Sequence, residues 1–518
     1  MMRHLIISCL VILLAVIACN LPVQTRLWPT PPTATPSPTA RPIESVTRAA
    51  SPPVIYTPEA PPLFEAAPCA FPIPAGTNPE CGYLIVPENR SRVGSRSIRL
   101  HVARFRSHAA NPAPDPVIHL AGGPGSSSLA VARYLFSYGM GAVLEERDLI
   151  LFDQRGTGYS EPRLDCPERQ EITPWLLAGG LTWEVKESAI LDAFHRCRER
   201  LLAEGVDLAG YTSAQSAADV NDLSRALGVA QVNLYGVSYG TRLALTVMRD
   251  FPAIVRSAVL DSAYPPQVNL YTALAPNAGR AFSVFFRRCD QDTTCSAAYP
   301  SLEATFYELV DHLNAVPAQV ELETSGDRYT IAMDGGLLID VLLVGLYNPA
   351  VAATMPRMID EIRQGEYSIL RERLKLYFDD SGALGMNLAV QCNEEIPFST
   401  PEEAFTAANA TPPQIAAFFP YSVRPLFTAC REWAALPLDD RENQPVRSDV
   451  PALILAGEVD PITPPEWGRA AAQSLRHSTF FELPGNGHWV TRSSPCALQM
   501  ALAFWLDPTA PVQNRCEG

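Results

Sequence analysis

The sequence predicts an α/β fold, a mostly parallel sheet with helices on both faces, carrying an inserted, mostly helical cap. Three observations lead there. Short apolar runs ending in Gly, Asp or Ser alternate with segments of helical periodicity. A Gly-x-Ser-x-Gly stands between one such run and a helical stretch. A long central segment, residues 266–445, then lacks the repeated strand–glycine endings.

The strand-like runs are SIRLHVARF, PVIHLAGG, RDLILFDQRG, QVNLYGVSYG, RSAVLDSAY, VPALILAGEVD and STFFELPGNGH. Continuous apolar runs of this kind suit strands buried on both faces of a parallel sheet. From Ser213 to Leu227 the period changes: Ala217, Val220, Leu223, Ala226 and Leu227 recur at helical spacing, and Gly228 follows as a stop. Such alternation places helices on both faces of a sheet. Between Pro265 and Pro445 the runs SVFFRRC, LEATFYELVDHLNAV, GGLLIDVLLVGLY and MPRMIDEIRQGEY look helical. This stretch is too long for a loop in a compact domain, so it reads as a cap inserted before VPALILAGE.

The N-terminus reads as a targeting segment. Arg3 and His4 precede an apolar run from Leu5 to Ala18, short for a membrane span and right for a signal-peptide core. It ends in Val16-Ile17-Ala18-Cys19, which resembles the lipobox of bacterial lipoproteins, so that Cys19 would carry the lipid. A plain signal peptide or an uncleaved anchor is the alternative. Residues 19–68 are dominated by Pro, Thr, Ala and Ser, as in WPTPPTATPSPTARP, and read as a disordered, extended tether. The domain plan is therefore signal peptide 1–18, tether 19–68, core 69–265, cap 266–445 and core again 446–518.

Composition agrees with an exported enzyme. The chain has 518 residues, 47% hydrophobic and 18% charged, ordinary values for a globular enzyme. A formal net charge of −15 argues against a nucleic-acid partner, since nothing here would neutralise a phosphate backbone. Setting aside Cys9 and Cys19 leaves an even set of cysteines, which in an exported chain reads as disulfides. Sequence leaves the connectivity open; pairing neighbours in chain order gives Cys69–Cys81, Cys166–Cys197, Cys289–Cys295, Cys392–Cys430 and Cys496–Cys516. Zinc is the rival reading, but no Cys-x-x-Cys or His-x-x-x-His spacing supports it.

The strongest chemical signal is Gly236-Val237-Ser238-Tyr239-Gly240, between the strand QVNLY and the helical stretch TRLALTVMRDF. In that context the motif forms a nucleophile elbow, with Ser238 projecting above the sheet. A serine hydroxyl needs a base, and downstream only His312, His477 and His488 are available. His312 falls in a cap helix and His477 before the last strand. His488, in Gly485-Asn486-Gly487-His488-Trp489, lies just past that strand's carboxyl end, where α/β enzymes keep their chemistry. Two aspartates suit the acid, Asp261 after SAVL and Asp460 after PALILAGEV, with Glu458 third. Asp460, one strand before His488, is preferred, and Asp261 is read as ordering the start of the cap connection. An oxyanion hole needs two backbone N–H groups. Tyr239, next to the nucleophile, and Gly123, in Ala121-Gly122-Gly123-Pro124-Gly125, are the candidates.

Taken together, AGGPGSSS, FDQRGTGYS, GVSYGT, AGEVDPITPP and GNGH resemble the proline iminopeptidase and tripeptidyl aminopeptidase family, serine peptidases of the α/β-hydrolase fold. The resemblance runs from about Cys69 to the end. Ala121 stands where proline iminopeptidases usually have His, which leans the likeness to the secreted tripeptidyl-aminopeptidase-like branch. It implies an exopeptidase acting on peptides with a free N-terminus, needing no metal or organic cofactor, and touching a membrane only through a lipid at Cys19. Asp153 and Arg155 match the family's Asp-Gln-Arg-Gly turn and read as a structural ion pair. Cys392-Asn393-Glu394-Glu395 resembles a cap motif, which makes Glu394, with Glu395 second, a candidate anchor for the substrate amine. A solvated acidic pair is the plain alternative. The rival activity is a carboxylesterase or lipase using the same three residues.

Overall fold

The computed structural model describes residues 62–514 and 516, apart from 379–381, 435, 437 and 438; the signal peptide, Cys19 and most of the tether lie outside the described residues. A nine-stranded sheet forms the frame. Its strands begin with β1 (Leu63–Ala66), β2 (Glu80–Pro87), β3 (Ser97–Phe105), β4 (Ala113–Leu120) and β5 (Arg147–Phe152). Next come β6 (Val232–Val237) and β7 (Val255–Asp261). The cap then contributes β8 (Ala318–Thr324) and β9 (Asp327–Met333), and the chain returns to the frame with β10 (Ala452–Gly457) and β11 (Ser478–Leu483).

The order across the sheet is β1-β2-β3-β5-β4-β6-β7-β10-β11. The first four are antiparallel neighbours, and everything from β5 to β11 is parallel. The parallel strands are apolar throughout because both faces are covered. Leu234 of β6 and Leu260 of β7 point into one core, with Val220, Leu223 and Leu243 of the covering helices. Tyr235 and Val259, one residue along, point into the other with Leu453 and Phe504. This is the period-two alternation of a strand buried twice.

The helix Ser213–Ala226 forms where the periodicity placed it, capped by the Thr212 hydroxyl, which accepts from the Gln215 N–H. Between β7 and β10 lies the inserted region, built on the long helices Leu270–Gln291, Leu302–Ala315, Gly335–Gly345, Leu384–Glu394 and Pro413–Trp433. It also holds the β8–β9 hairpin, a two-stranded antiparallel unit turning at Ser325-Gly326 that the helical reading passed over. All five disulfides join the pairs expected from chain order.

Two expectations are corrected here. The tether cannot run to residue 68, because Leu63–Ala66 already pairs with Gly82–Ile85 as an edge strand. Asp153 and Arg155 do not pair with each other. Arg155 turns inward to Asp219, at 2.7 and 2.6 Å, and binds the carbonyls of Glu88 and Gly210. Asp153 instead accepts from the Ser127 hydroxyl and the N–H groups of Leu129 and Tyr159, tying the turn after β4 to that after β5.

Candidate active site

Parallel order places the carboxyl ends of β6, β10 and β11 along one rim, and each end carries one chemical residue. Ser238 follows β6 directly and starts the helix Tyr239–Asp250 with φ 57° and ψ −125°. That is a costly conformation for a residue with a side chain, and it turns the hydroxyl off the sheet. The turn is too tight for anything but glycine on either side. A Cβ on Gly236 would sit 2.4 Å from the Gly240 carbonyl oxygen, and one on Gly240 would sit 1.9 Å from that of Leu120.

His488 lies beyond β11 and is almost wholly buried. Its Nδ1 is 2.9 Å from Asp460 Oδ2, and the Tyr347 ring of the cap packs 4.9 Å from the imidazole. Asp460 is held by several donors at once: the N–H groups of Ile462 and Thr463 to Oδ1, each at 2.9 Å, and the Thr463 hydroxyl to Oδ2 at 2.8 Å. Burial alone pushes the Asp460 carboxyl up, but the facing imidazole and these donors carry it below the ordinary aspartate range. The Thr463 oxygen is also 3.0 Å from His488 Nδ1. With its proton given to Asp460, it can only accept there, so Nδ1 carries the ring proton and Nε2 keeps a lone pair. Thr463 was not anticipated from sequence; a Thr three residues past an acid has no pattern of its own.

Arg280, from the cap helix Leu270–Gln291, clamps the acid's turn by donating to the carbonyls of Glu458 at 2.7 Å and Asp460 at 2.6 Å. Glu458 itself pairs with Arg288 and accepts from the Gly485 N–H, so it braces the loop before His488. His312 and His477 line no part of the cavity that Ser238 and His488 share.

That cavity, about 50 Å³, is bounded by Ser238, His488, Gly122, Gly123, Val237 and Trp489, with His119 at its wall. The turn after β4 comes closest to the nucleophile at Gly122, where a Cβ would lie 2.9 Å from the Ser238 Cβ. Gly123 lines the cavity one residue further, with φ 109°. The turn is fixed from behind: Gln154 donates to the Ala121 carbonyl at 2.9 Å and Asn387 of the cap to that of Pro124 at 3.1 Å. Tyr239 has its phenol buried against Ser213, and its N–H is among those at a helix start that the helix cannot satisfy.

The structure reassigns three acidic residues. Asp261 does not order the cap connection: its carboxylate accepts from the N–H groups of Val490 and Thr491 and from the Thr491 hydroxyl, holding the segment after the base. Glu394 and Glu395 do not face the cavity. Glu394 accepts from the N–H and hydroxyl of Ser213, and Glu395 pairs with Arg242 at 2.8 Å and accepts from the Leu270 N–H. Burial pushes both carboxyls up, with Glu442 adding to the push on Glu394 and the Arg242 cation opposing it. They join cap to core and leave no face for a substrate amine. Among the described residues the one cluster with metal-ligand spacing, Cys166, Glu168 and Cys197, contains a disulfide and so has no thiolate to offer.

A family model described as "alpha/beta hydrolase fold" matches residues 115–365, and a second, described as "TAP-like protein", matches residues 417–516. The fold is that of the α/β hydrolases, and these matches support a serine peptidase of the TAP-like branch. This hydrolase is 24% identical over 461 residues to "Serine protease Hip1" of Mycobacterium tuberculosis, covering 83% of this chain and 86% of that one. It is 31% identical over 195 residues to "Tripeptidyl aminopeptidase" of Streptomyces coelicolor, covering 36% of this chain and 35% of the relative. A solved proline iminopeptidase from Mycobacterium smegmatis aligns over 82% of this chain and 97% of its own, at 14% identity and a TM-score of 0.39, a likeness that carries no argument. The five disulfides fit an oxidising, extracytoplasmic compartment, and no helix among the described residues is long and apolar enough to cross a membrane.

Proposed function

We propose that this α/β hydrolase is an exported serine exopeptidase that releases residues or short peptides from the free N-terminus of peptides through an acyl-enzyme. The observation that carries the reading is the buried Asp460–His488 pair, with His488 lining the same cavity as the strained Ser238. The names of the relatives, a serine protease and a tripeptidyl aminopeptidase, support peptide over ester as substrate. The cap's Tyr347, whose ring packs 4.9 Å from the His488 ring and lines the small cavity, is in keeping with action at chain ends.

In this reading Ser238 attacks the scissile carbonyl while His488 Nε2 takes its proton. Asp460, ionised and below its usual range, stabilises the imidazolium that forms. The N–H groups of Tyr239 and Gly123 receive the oxyanion. His488 then protonates the leaving amine, and water resolves the acyl-enzyme by the same route in reverse. The N-terminal sequence supports export, with Cys19 as the site of a lipid anchor.

The test compares three substrates with the same acyl group: a peptide anilide with a free amine, its N-acetylated form and the corresponding ester. The reading expects the free anilide to be cleaved at least about tenfold better than the acetylated one. Cleavage of the ester alone, or equal cleavage of both anilides, contradicts it in favour of an esterase or an endopeptidase.

A further inference from the structure

His119 lies on β4, two residues before the Ala121-Gly122-Gly123 turn, and is buried to 2% exposure. Its ring is fixed on most sides. Nδ1 is 2.9 Å from the Ser128 hydroxyl, the Tyr235 ring packs at 5.2 Å, and the Trp489 ring stacks at 6.3 Å with an interplanar angle of 24°. The remaining polar atom, Nε2, is buried without a hydrogen-bond partner among the described residues, in a side chain that lines the cavity of Ser238 and His488. A buried polar atom left unpaired is costly, so one in a side chain that lines a cavity calls for a ligand atom. Burial pushes the imidazole down to about 3, so the ligand meets a neutral ring.

Val131, Val237 and Trp489 line the cavity beside the polar Ser126, Ser127, Ser238 and His488, and at about 50 Å³ it is small. In the proposed function the turn that follows His119 receives the carbonyl oxygen, which brings a substituent on the acyl side within reach of this wall. Because Ser128 can either donate to or accept from Nδ1, Nε2 is either a lone pair or an N–H. A hydroxyl satisfies both states, whereas a methyl satisfies neither. We propose that His119 is a specificity-determining residue, whose Nε2 hydrogen-bonds a small hydroxyl-bearing side chain, serine or threonine, on the residue that becomes the acyl group.

The proposal rests on the serine-hydrolase reading above, and threonine against the isosteric valine tests it. Ala-Ala-Thr and Ala-Ala-Val, and the single residues, are presented both as p-nitroanilides and as p-nitrophenyl esters. The wild-type protein is expected to prefer threonine in kcat/KM by at least about tenfold, since a site built around a hydroxyl rejects the analogue lacking it. His119→Phe is expected to level or invert that ratio, and His119→Gln, which keeps a polar atom, to retain part of it. Threonine and valine cleaved equally well by the wild-type protein overturn the proposal whether or not either variant folds, as does a His119→Phe protein that keeps the wild-type ratio. The esters keep the two readings apart. A threonine preference seen on esters with no anilide cleaved sinks the peptidase function and leaves the role of His119 standing.

Discussion

Asp261 holds Thr491 twice, accepting from its N–H at 2.9 Å and from its hydroxyl at 2.6 Å. The same residue's carbonyl accepts the Ser238 N–H at 3.0 Å, so one aspartate ties the nucleophile's turn to the segment after the base. Pairing of strands β6 and β7 brings the contact to Ser238; the contacts to Thr491 are made across the sheet's rim by a side chain that does not line the cavity. Asp261 thus links the segments that carry Ser238 and His488, while Asp460 binds the His488 ring itself.

Asp261→Asn keeps the shape but turns an amide NH₂ toward donors that need an acceptor. The expected result is a fall in kcat of about 10–100-fold with KM little changed, and a loss of about 1–3 kcal/mol in unfolding free energy. Steady-state kinetics with a urea titration checks both. A kcat within twofold of wild type contradicts the positioning role.

Thr463→Val removes one donor from Asp460 and the second acceptor at His488 Nδ1 while keeping the volume. One hydrogen bond of this kind is worth about 1 kcal/mol, so kcat should fall roughly fivefold to tenfold. Thr463→Ser keeps the hydroxyl and is expected to restore most of the rate, which a purely packing role for the methyl would not.

What the sequence shows, and what it hides, divides along the reach of each interaction. Ser238 is legible because Gly236, Gly240 and the flanking strand and helix are all local. The disulfides are legible because each joins cysteines 6 to 38 residues apart with no other cysteine between. Glu394 and Glu395 are misread because their partner, Arg242, lies on the helix after the nucleophile, 153 positions from Glu395. Arg155 is misread for the same reason: a near neighbour, Asp153, suggests a pair that the fold replaces with Asp219. The hairpin β8–β9 did leave a signal, since VELET and DRYTIAM flank a Ser-Gly turn, but helical neighbours on both sides drowned it.

Stability should carry a specific pH signature from the cap. Asp340, in the apolar helix Gly335–Gly345, is buried with the Tyr377 hydroxyl at 2.5 Å, and burial pushes its carboxyl up to about 7. A folded value above the unfolded one means that the native state binds the proton more tightly. The stabilisation is therefore complete below the ordinary aspartate range and is lost as pH rises toward 7. Asp340→Asn keeps an acceptor for Tyr377 without the charge, so its melting temperature should gain on wild type steadily between pH 4 and about 7. Thermal melts across that range decide it. A constant difference contradicts the assignment.

Ser238 as the attacking group is the central claim, and turnover by Ser238→Ala on a substrate the wild-type protein cleaves tests it most directly. Loss of the hydroxyl should leave the fold and the disulfides intact and lower kcat by at least about 10⁴-fold, as removal of a triad nucleophile does. A folded variant that turns over within tenfold of wild type would contradict it.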